Sequence, residues 1–447
     1  MPPINSGDTA WVLASTALVL LMTPGLALFY GGLVRAKSVL NMMMMSFATV
    51  GVVSVLWVAY GYSIAFTTDR YGGLFGGFEA LGLRGALDGV TGAEGHGIPV
   101  LAFAAFQLMF AIITPALISG AIADRAKFGA WLVFVTLWVS IVYFPVAHWV
   151  FGADGWILSK LKAFDFAGGT AVHVNAGAAG LALAIVLGKR LGWKKREGLK
   201  PHNVPMVLLG AGLLWFGWFG FNAGSALGAN GLAGMAFINT QVATGAALLG
   251  WLVVEWMRDG RPTAVGAASG AVAGLVAITP ACSTVEPIGA IAIGLIAGAV
   301  CALAIGLKYK LGFDDSLDVV GVHLVGGAVG ALLIGFFATT LSGGTGDING
   351  LLYGGGIAQL GKQALAVAAV GAYSFAVTWL LGYAIDKTIG FRVSAEAEAE
   401  GIDTAEHAES AYELSGPAGG GAFALAGIAP QAPVREEEKR AETVGAE

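Results

Sequence analysis

Eleven apolar runs, most of roughly 17 to 25 residues and so long enough to cross a bilayer as helices, divide this chain almost from end to end. They lie near 9–34, 42–66, 98–121, 129–150, 169–188, 204–226, 233–256, 264–280, 287–307, 318–338 and 361–385. No water-soluble globule can hide so many from solvent. The composition agrees, with 56% hydrophobic and 12% charged residues and a mean hydropathy of +0.76. The chain reads as an all-α polytopic membrane protein.

The basic residues test that count, because loops on the cytoplasmic side carry the excess of Lys and Arg. Arg35 and Lys37, Arg125 and Lys127, the cluster from Lys189 to Lys200, Arg258 and Arg261, and Lys308 and Lys310 fall in alternate loops. The opposite loops hold only Arg70, Arg84, Lys160 and Lys162. This places the N-terminus outside and the C-terminus in the cytoplasm. No basic segment precedes the first run, which is too long for a signal-peptide core and is expected to stay as a helix. The formal charge of −5 comes largely from the acidic end after Asp386 and says little about the membrane part.

Eleven runs divide as five, five and one. A repeat with an odd number of spans is inserted upside down the second time, which gives the inverted pseudo-twofold architecture of many transporters, with a site near the midplane. The expected domains are a transmembrane part, 1–385, with repeats at about 9–188 and 204–338 and an eleventh helix at about 361–385. A cytoplasmic tail follows at 386–413, then a low-complexity, disordered end at 414–447. Glycines at four-residue spacing, such as Gly266, Gly270 and Gly274, let helices approach closely in lipid. Cys282 and Cys301 form no metal or disulfide pattern. There is no zinc spacing, no phosphate loop and no nucleic-acid signature, so neither metal nor cofactor is expected.

Ionisable side chains at membrane depth are costly and point to function. His173 lies eight residues after Asp165 and His323 eight after Asp315, one histidine in each half. Each could be a packing residue bonded to a carbonyl. As a facing pair they could share a proton and still offer a ring nitrogen to a small amine. Asp165, Asp315 and Asp318 stand where an acceptor caps a helix; Asp165 could also attract a cation from a distance. Phe106 and Phe110 share one helix face, either as packing or as ring faces for a cation. Phe221 and Ser225 add a ring and a hydroxyl at the outer side.

These residues carry a resemblance. The chain resembles the Amt/Mep/Rh ammonium transporter family, nearest its Amt branch, through Thr23-Pro-Gly-Leu-Ala-Leu-Phe-Tyr-Gly-Gly-Leu-Val-Arg35, Asn41-Met-Met-Met, Asp165-Phe-Ala-Gly-Gly-Thr-Ala-Val-His173, Trp218-Phe-Gly-Phe-Asn-Ala-Gly-Ser225, Ile278-Thr-Pro-Ala and Asp318-Val-Val-Gly-Val-His323. The resemblance implies a homotrimer of eleven-helix protomers in the plasma membrane, embedded in lipid, each protomer with its own narrow pore for ammonium or ammonia. It implies an outer cation site at Phe106, Phe110 and Ser225, a stacked gate of Phe110 and Phe221, Trp218 along the pore, and His173 with His323 at its centre. Asp165 matches a structurally important acid. Phe151, a weaker cation-π partner than Trp, stands where the outer site usually has Trp, and Glu286 stands where Gly or Ser is expected.

The tail resembles the family's through Gly390-Phe-Arg-Val393, Glu400-Gly-Ile-Asp403 and His407-Ala-Glu-Ser-Ala-Tyr412, with Ala408 in place of an expected Gly. That implies a regulatory segment that couples protomers and lies near a docking place for PII-family signal proteins. The expected activity is ammonium transport, in which the ion is captured outside, loses its proton, and crosses as ammonia; the proton either follows or stays behind. The rival readings are an ammonium sensor signalling through its tail and a Rh-like channel for neutral gas. An enzyme is not expected, since no nucleophile or metal spacing accompanies the histidines.

Overall fold

A computed structural model describes residues 2–193 and 200–412. One unit runs to Glu409. Of the second, three residues are described, with the Ser410 hydroxyl donating to the Tyr412 carbonyl. The expected low-complexity end lies outside the described residues, as do the basic positions 194–199.

Among the described residues, ten helices are long and apolar enough to cross a membrane. In chain order they are α1 (Ser6–Leu33), α2 (Ala36–Phe66), α3 (Val100–Ile122), α4 (Phe128–Leu161), α5 (Gly169–Leu187), α6 (Val204–Gly224) and α7 (Gly231–Asp259), then α9 (Pro287–Leu311), α10 (Val320–Phe337) and α11 (Ala358–Thr388). Between α7 and α9 lies α8 (Ala264–Ile278), where the eighth crossing is expected. It is shorter because turns begin at Thr279. At 1.5 Å per residue its helical part falls short of a bilayer's hydrocarbon core of about 30 Å.

Local chemistry sets many helix starts. Asn5, Asn203 and Asn230 accept from the amides of Asp8, Met206 and Ala233 at the starts of α1, α6 and α7, and Thr263 accepts from Gly266 at the start of α8. Each satisfies a donor the helix itself cannot pair. Gly260 closes α7 in the left-handed conformation, φ 77°, which a residue without Cβ adopts without strain.

The bundle packs α1 along α6, α7 along α8 and α9, and α5 along α11, with α5 and α10 crossing at its centre. Buried indoles find acceptors: Trp57 donates to the Ala104 carbonyl, Trp131 to that of Met45 and Trp138 to the Thr378 hydroxyl. Large apolar side chains such as Val55, Phe216, Leu249 and Leu303 are exposed around the bundle, as expected where hydrocarbon rather than water is the neighbour.

One end carries a buried ionic network. Arg190 grips Asp314 with Nε and Nη2, both at 2.9 Å, and reaches Asp124 at 3.3 Å. Arg125 donates to the Asp314 carbonyl at 2.6 Å, and Arg35 faces Asp124 at 3.5 Å. Burial by itself would raise the Asp314 carboxyl, but the hydrogen bonds and charge of Arg190 outweigh it and hold the group below the ordinary range.

The tail docks at this same end. Two short helices, α12 (Ala395–Glu400) and α13 (Ile402–His407), bring Asp403 onto the amides of Leu40 and Asn41, at 3.0 and 2.8 Å. Glu398 takes Arg392 and the Leu191 amide, both at 2.6 Å, and Glu406 accepts from the Phe128 amide at 2.9 Å. The tail thereby touches the first turns of α2 and α4 and the segment that follows α5.

Candidate functional site

The two histidines meet where α5 and α10 cross. Each helix has a π turn there, Gly169–Val174 holding His173 and Val320–Leu324 holding His323. A π turn admits one extra residue and re-aims a side chain, and such turns cluster at functional sites. An acid upstream anchors each turn. Asp165 accepts from the amides of Gly168, Gly169, Thr170 and Ala171 at 2.6 to 3.1 Å and from the Thr170 hydroxyl. Asp315 accepts from the amides of Val319 and Val320, at 3.1 and 2.7 Å.

Asp318 departs from the expected cap. Its backbone is left-handed, φ 63°, and turns the carboxylate to the Lys308 ammonium at 2.6 Å. Only its carbonyl serves the turn, accepting from the Val322 amide.

The imidazoles stack with centroids 5.4 Å apart, and their Nδ1 atoms lie 3.3 Å apart. For the neutral pair, one Nδ1–H must donate to the bare Nδ1 of the other. The donating ring then has a lone pair at Nε2, and the accepting ring has its hydrogen at Nε2. Transfer of the shared proton exchanges the two roles. His173 is almost fully buried, and its Nε2 makes no hydrogen bond to the protein. A small molecule that both donates and accepts suits this pair.

A column of rings leads to His173. Phe106 and Phe110 on α3 meet edge to face at 4.9 Å, and Phe110 lies 4.3 Å from Phe221 on α6. Phe221 and Trp218 lie 6.0 and 5.3 Å from His173. All four rings are buried. Ser225, half-buried at the end of α6, donates to the Phe221 carbonyl at 2.8 Å, which leaves its oxygen able to accept.

Phe151 lines a recess of about 340 Å³ with Phe164, Asp165, Phe166 and Ser283, a lining that includes none of the four rings of the column. Glu286 accepts from the Tyr353 hydroxyl at 3.3 Å. Beyond His323 a cavity of about 210 Å³ is lined by Phe29, Tyr30, Val322, Lys308 and Asp318. The Tyr30 hydroxyl is tied to the Leu117 carbonyl at 3.0 Å.

Sequence pattern alone did not single out Thr279, whose hydroxyl accepts from Trp218 Nε1 at 2.8 Å and fixes the indole. It stands within Ile278-Thr-Pro-Ala, one of the motifs that carry the family resemblance, and that motif was its signal in the sequence. Lys308 appears in sequence as one more loop cation. Among the described residues, no group of three or more His, Cys, Asp or Glu side chains is arranged to hold a metal ion.

The chain as a whole is similar to known proteins. The profile of the Ammonium Transporter Family matches residues 10–412. An ammonium transporter of Mycobacterium bovis is 59% identical, over 92% of this chain and 91% of the relative. The solved structure of Saccharomyces cerevisiae Mep2 superimposes with a TM-score of 0.81 at 37% identity, covering 88% of each chain. A solved structure titled as a sensor Amt protein matches with a TM-score of 0.82 at 30% identity, over 90% of this chain and 98% of that one.

Proposed function

The chain belongs to the ammonium transporter family, and we propose that it captures the ion at Phe106, Phe110 and Ser225, strips its proton near the Phe110–Phe221 gate and passes ammonia along His173 and His323. Transport, not enzymatic catalysis, is the family's business. The observation that carries the detailed reading is the buried imidazole pair at 3.3 Å, reached through ring faces and offering one acceptor and one donor.

Physical cost favours this route. A bare cation in a low-dielectric interior costs on the order of tens of kcal/mol unless it is paired or neutralised. Neither the ring column nor the histidine pair supplies a carboxylate. A cation-π contact, worth about 0.5 to 2 kcal/mol, suits capture at the entrance but not passage of the ion. Potassium cannot shed a proton, so it is rejected. Phe151 flanks the entrance and weakens ion capture relative to a Trp, while Glu286 adds local attraction for cations.

The supporting frame is an eleven-span protomer with an inverted five-plus-five repeat, N-terminus outside and C-terminus in the cytoplasm, assembled as a trimer in the plasma membrane and surrounded by lipid. The matched π turns and matched acids before His173 and His323 support the repeat, and α8, short as it is, takes the eighth crossing. The docked tail supports a regulatory role, with PII-family proteins as the candidate partner.

The test is ammonium-evoked current from protein in liposomes on a solid-supported membrane, with potassium steps as control. An ammonium-specific current that disappears in His173→Leu is expected. Internal alkalinisation without current would mean that ammonia crosses alone, as in a Rh-like gas channel, and an unchanged selective flux in His173→Leu would sink the paired-histidine route. The sensor reading draws on the likeness to the sensor Amt protein; silence in both assays would favour it.

A further inference from the structure

The inner cavity beside His323 contains a cation of the protein's own. The Lys308 ammonium lies 2.6 Å from Asp318 Oδ1 and 2.9 Å from the Asp315 carbonyl, over the Tyr309 ring at 5.5 Å from its centroid. One carboxylate, one carbonyl and one aromatic face make a cage suited to any ammonium head group. Asp318 is the one acid among the described residues lining this cavity. The cavity's other cation, Arg190, is held by Asp314 and Asp124.

Two features show that the cage is built rather than incidental. Asp318 holds the left-handed conformation, φ 63°, which Asp adopts more readily than most residues with a side chain and which here turns its carboxylate to Lys308. The Lys308 side chain is 9% exposed against 33% for Asp318, so the cation is sunk in the wall and the carboxylate faces the cavity. With the cage unoccupied, that carboxylate would hold any small cation arriving at the mouth, because opposite charges in a partly desolvated site attract strongly.

We propose that Lys308 is a tethered cation that fills an ammonium-sized cage at the inner mouth, so that neither released ammonium nor a cytoplasmic alkali cation is retained beside His323. This rests on the transport reading above. Product then leaves without a resting place, and the exit is protected from inhibition by internal cations. Asp318 serves to position Lys308, and Lys308 sets what the mouth refuses.

The experiment measures ammonium-evoked current in oriented proteoliposomes with either choline or caesium on the cytoplasmic side. Wild type is expected to be indifferent to caesium. Lys308→Met and Lys308→Gln should lose current in caesium by roughly fivefold or more relative to choline, the scale of an ordinary coupling between two ligands. Lys308→Arg, which keeps a fixed cation, should remain indifferent, and Lys308→Gln with Asp318→Asn should lose the caesium effect. As a second readout, caesium should raise the melting temperature of purified Lys308→Gln and not that of wild type. The glutamine keeps a donor for the Asp315 carbonyl, which protects folding where methionine would not. A conducting Lys308→Gln protein that ignores caesium in both readouts would overturn this inference alone. No ammonium-evoked current or alkalinisation in wild type would instead overturn the transport reading.

Discussion

Gly177 packs against the backbone nitrogen of Leu324 with no room for a Cβ between them. The reciprocal contact is Gly327, where an added Cβ would lie 2.9 Å from the Gly169 carbonyl oxygen, 3.0 Å from His173 Cβ and 3.2 Å from the Val174 nitrogen. Each glycine stands four residues after a histidine. Four residues is about one helical turn, so each glycine lies on the face its histidine occupies. The two absent side chains are what let α5 and α10 come close enough for the imidazoles to meet.

Gly177→Ala should therefore separate the helices or distort them. Overpacking of this kind costs about 1 to 3 kcal/mol. The expected result is a lower melting temperature of the purified protein together with loss of ammonium flux. Gly212, where an added Cβ meets nothing within 4 Å, supplies the control: Gly212→Ala should leave flux unchanged.

Asp165→Asn keeps the size but removes the charge and replaces one acceptor oxygen by a donor. The amides now sharing the two carboxylate oxygens cannot all be served by one amide oxygen. A buried donor left unpaired costs about 1 to 3 kcal/mol. Flux should fall and the π turn holding His173 should loosen, read as faster amide exchange across residues 168–174. Exchange rates equal to wild type would remove the anchoring role.

The ionic network makes a pH prediction with a definite sign. The folded Asp314 carboxyl is held below its ordinary value, so its stabilisation is fully present above the unfolded range, about pH 4, and is lost as pH falls through the lowered folded value. The melting temperature should drop on acidification below about pH 4, and Asp314→Asn should remove that component. The variant should also lose roughly 3 to 5 kcal/mol at neutral pH, the scale of breaking a buried pair. An unchanged acid limb in the variant would assign the effect elsewhere.

Asp403→Ala removes the acceptor that serves the amides of Leu40 and Asn41, a cap worth about 1 kcal/mol. The tail helices should then detach more readily. Limited proteolysis near residues 395–407 should be faster than in wild type, while His173 and His323 remain in place. If transport responds to nitrogen status only while Asp403 is intact, the docked tail is the regulatory element; an identical response in both proteins would retire that role.

The apolar runs mark the helices because nothing else satisfies backbone groups in hydrocarbon. The acids eight residues before each histidine are visible as a spacing, and both anchor the turns that follow. Position before the helix misleads at Asp318, where a cap is expected and a lysine pair is found, because Lys308 lies ten residues upstream at the end of the preceding helix. No propensity marks a π turn, so the bulges at His173 and His323 are invisible until the helices are packed.

The sequence by itself determined that this chain belongs in a membrane, which stretches are apolar enough to be considered as spans, and which few polar side chains are costly there. These follow from composition and spacing along one dimension, and from the price of leaving polar groups in lipid. Only the tertiary structure decided that His173 and His323 face each other at 3.3 Å, that Trp218 is fixed by Thr279, and that Lys308 pairs with Asp318. Those contacts join residues on different helices, and their geometry depends on interhelical distance and rotation. Both are set by packing at positions such as Gly177 and Gly327, where a single Cβ would change the distance.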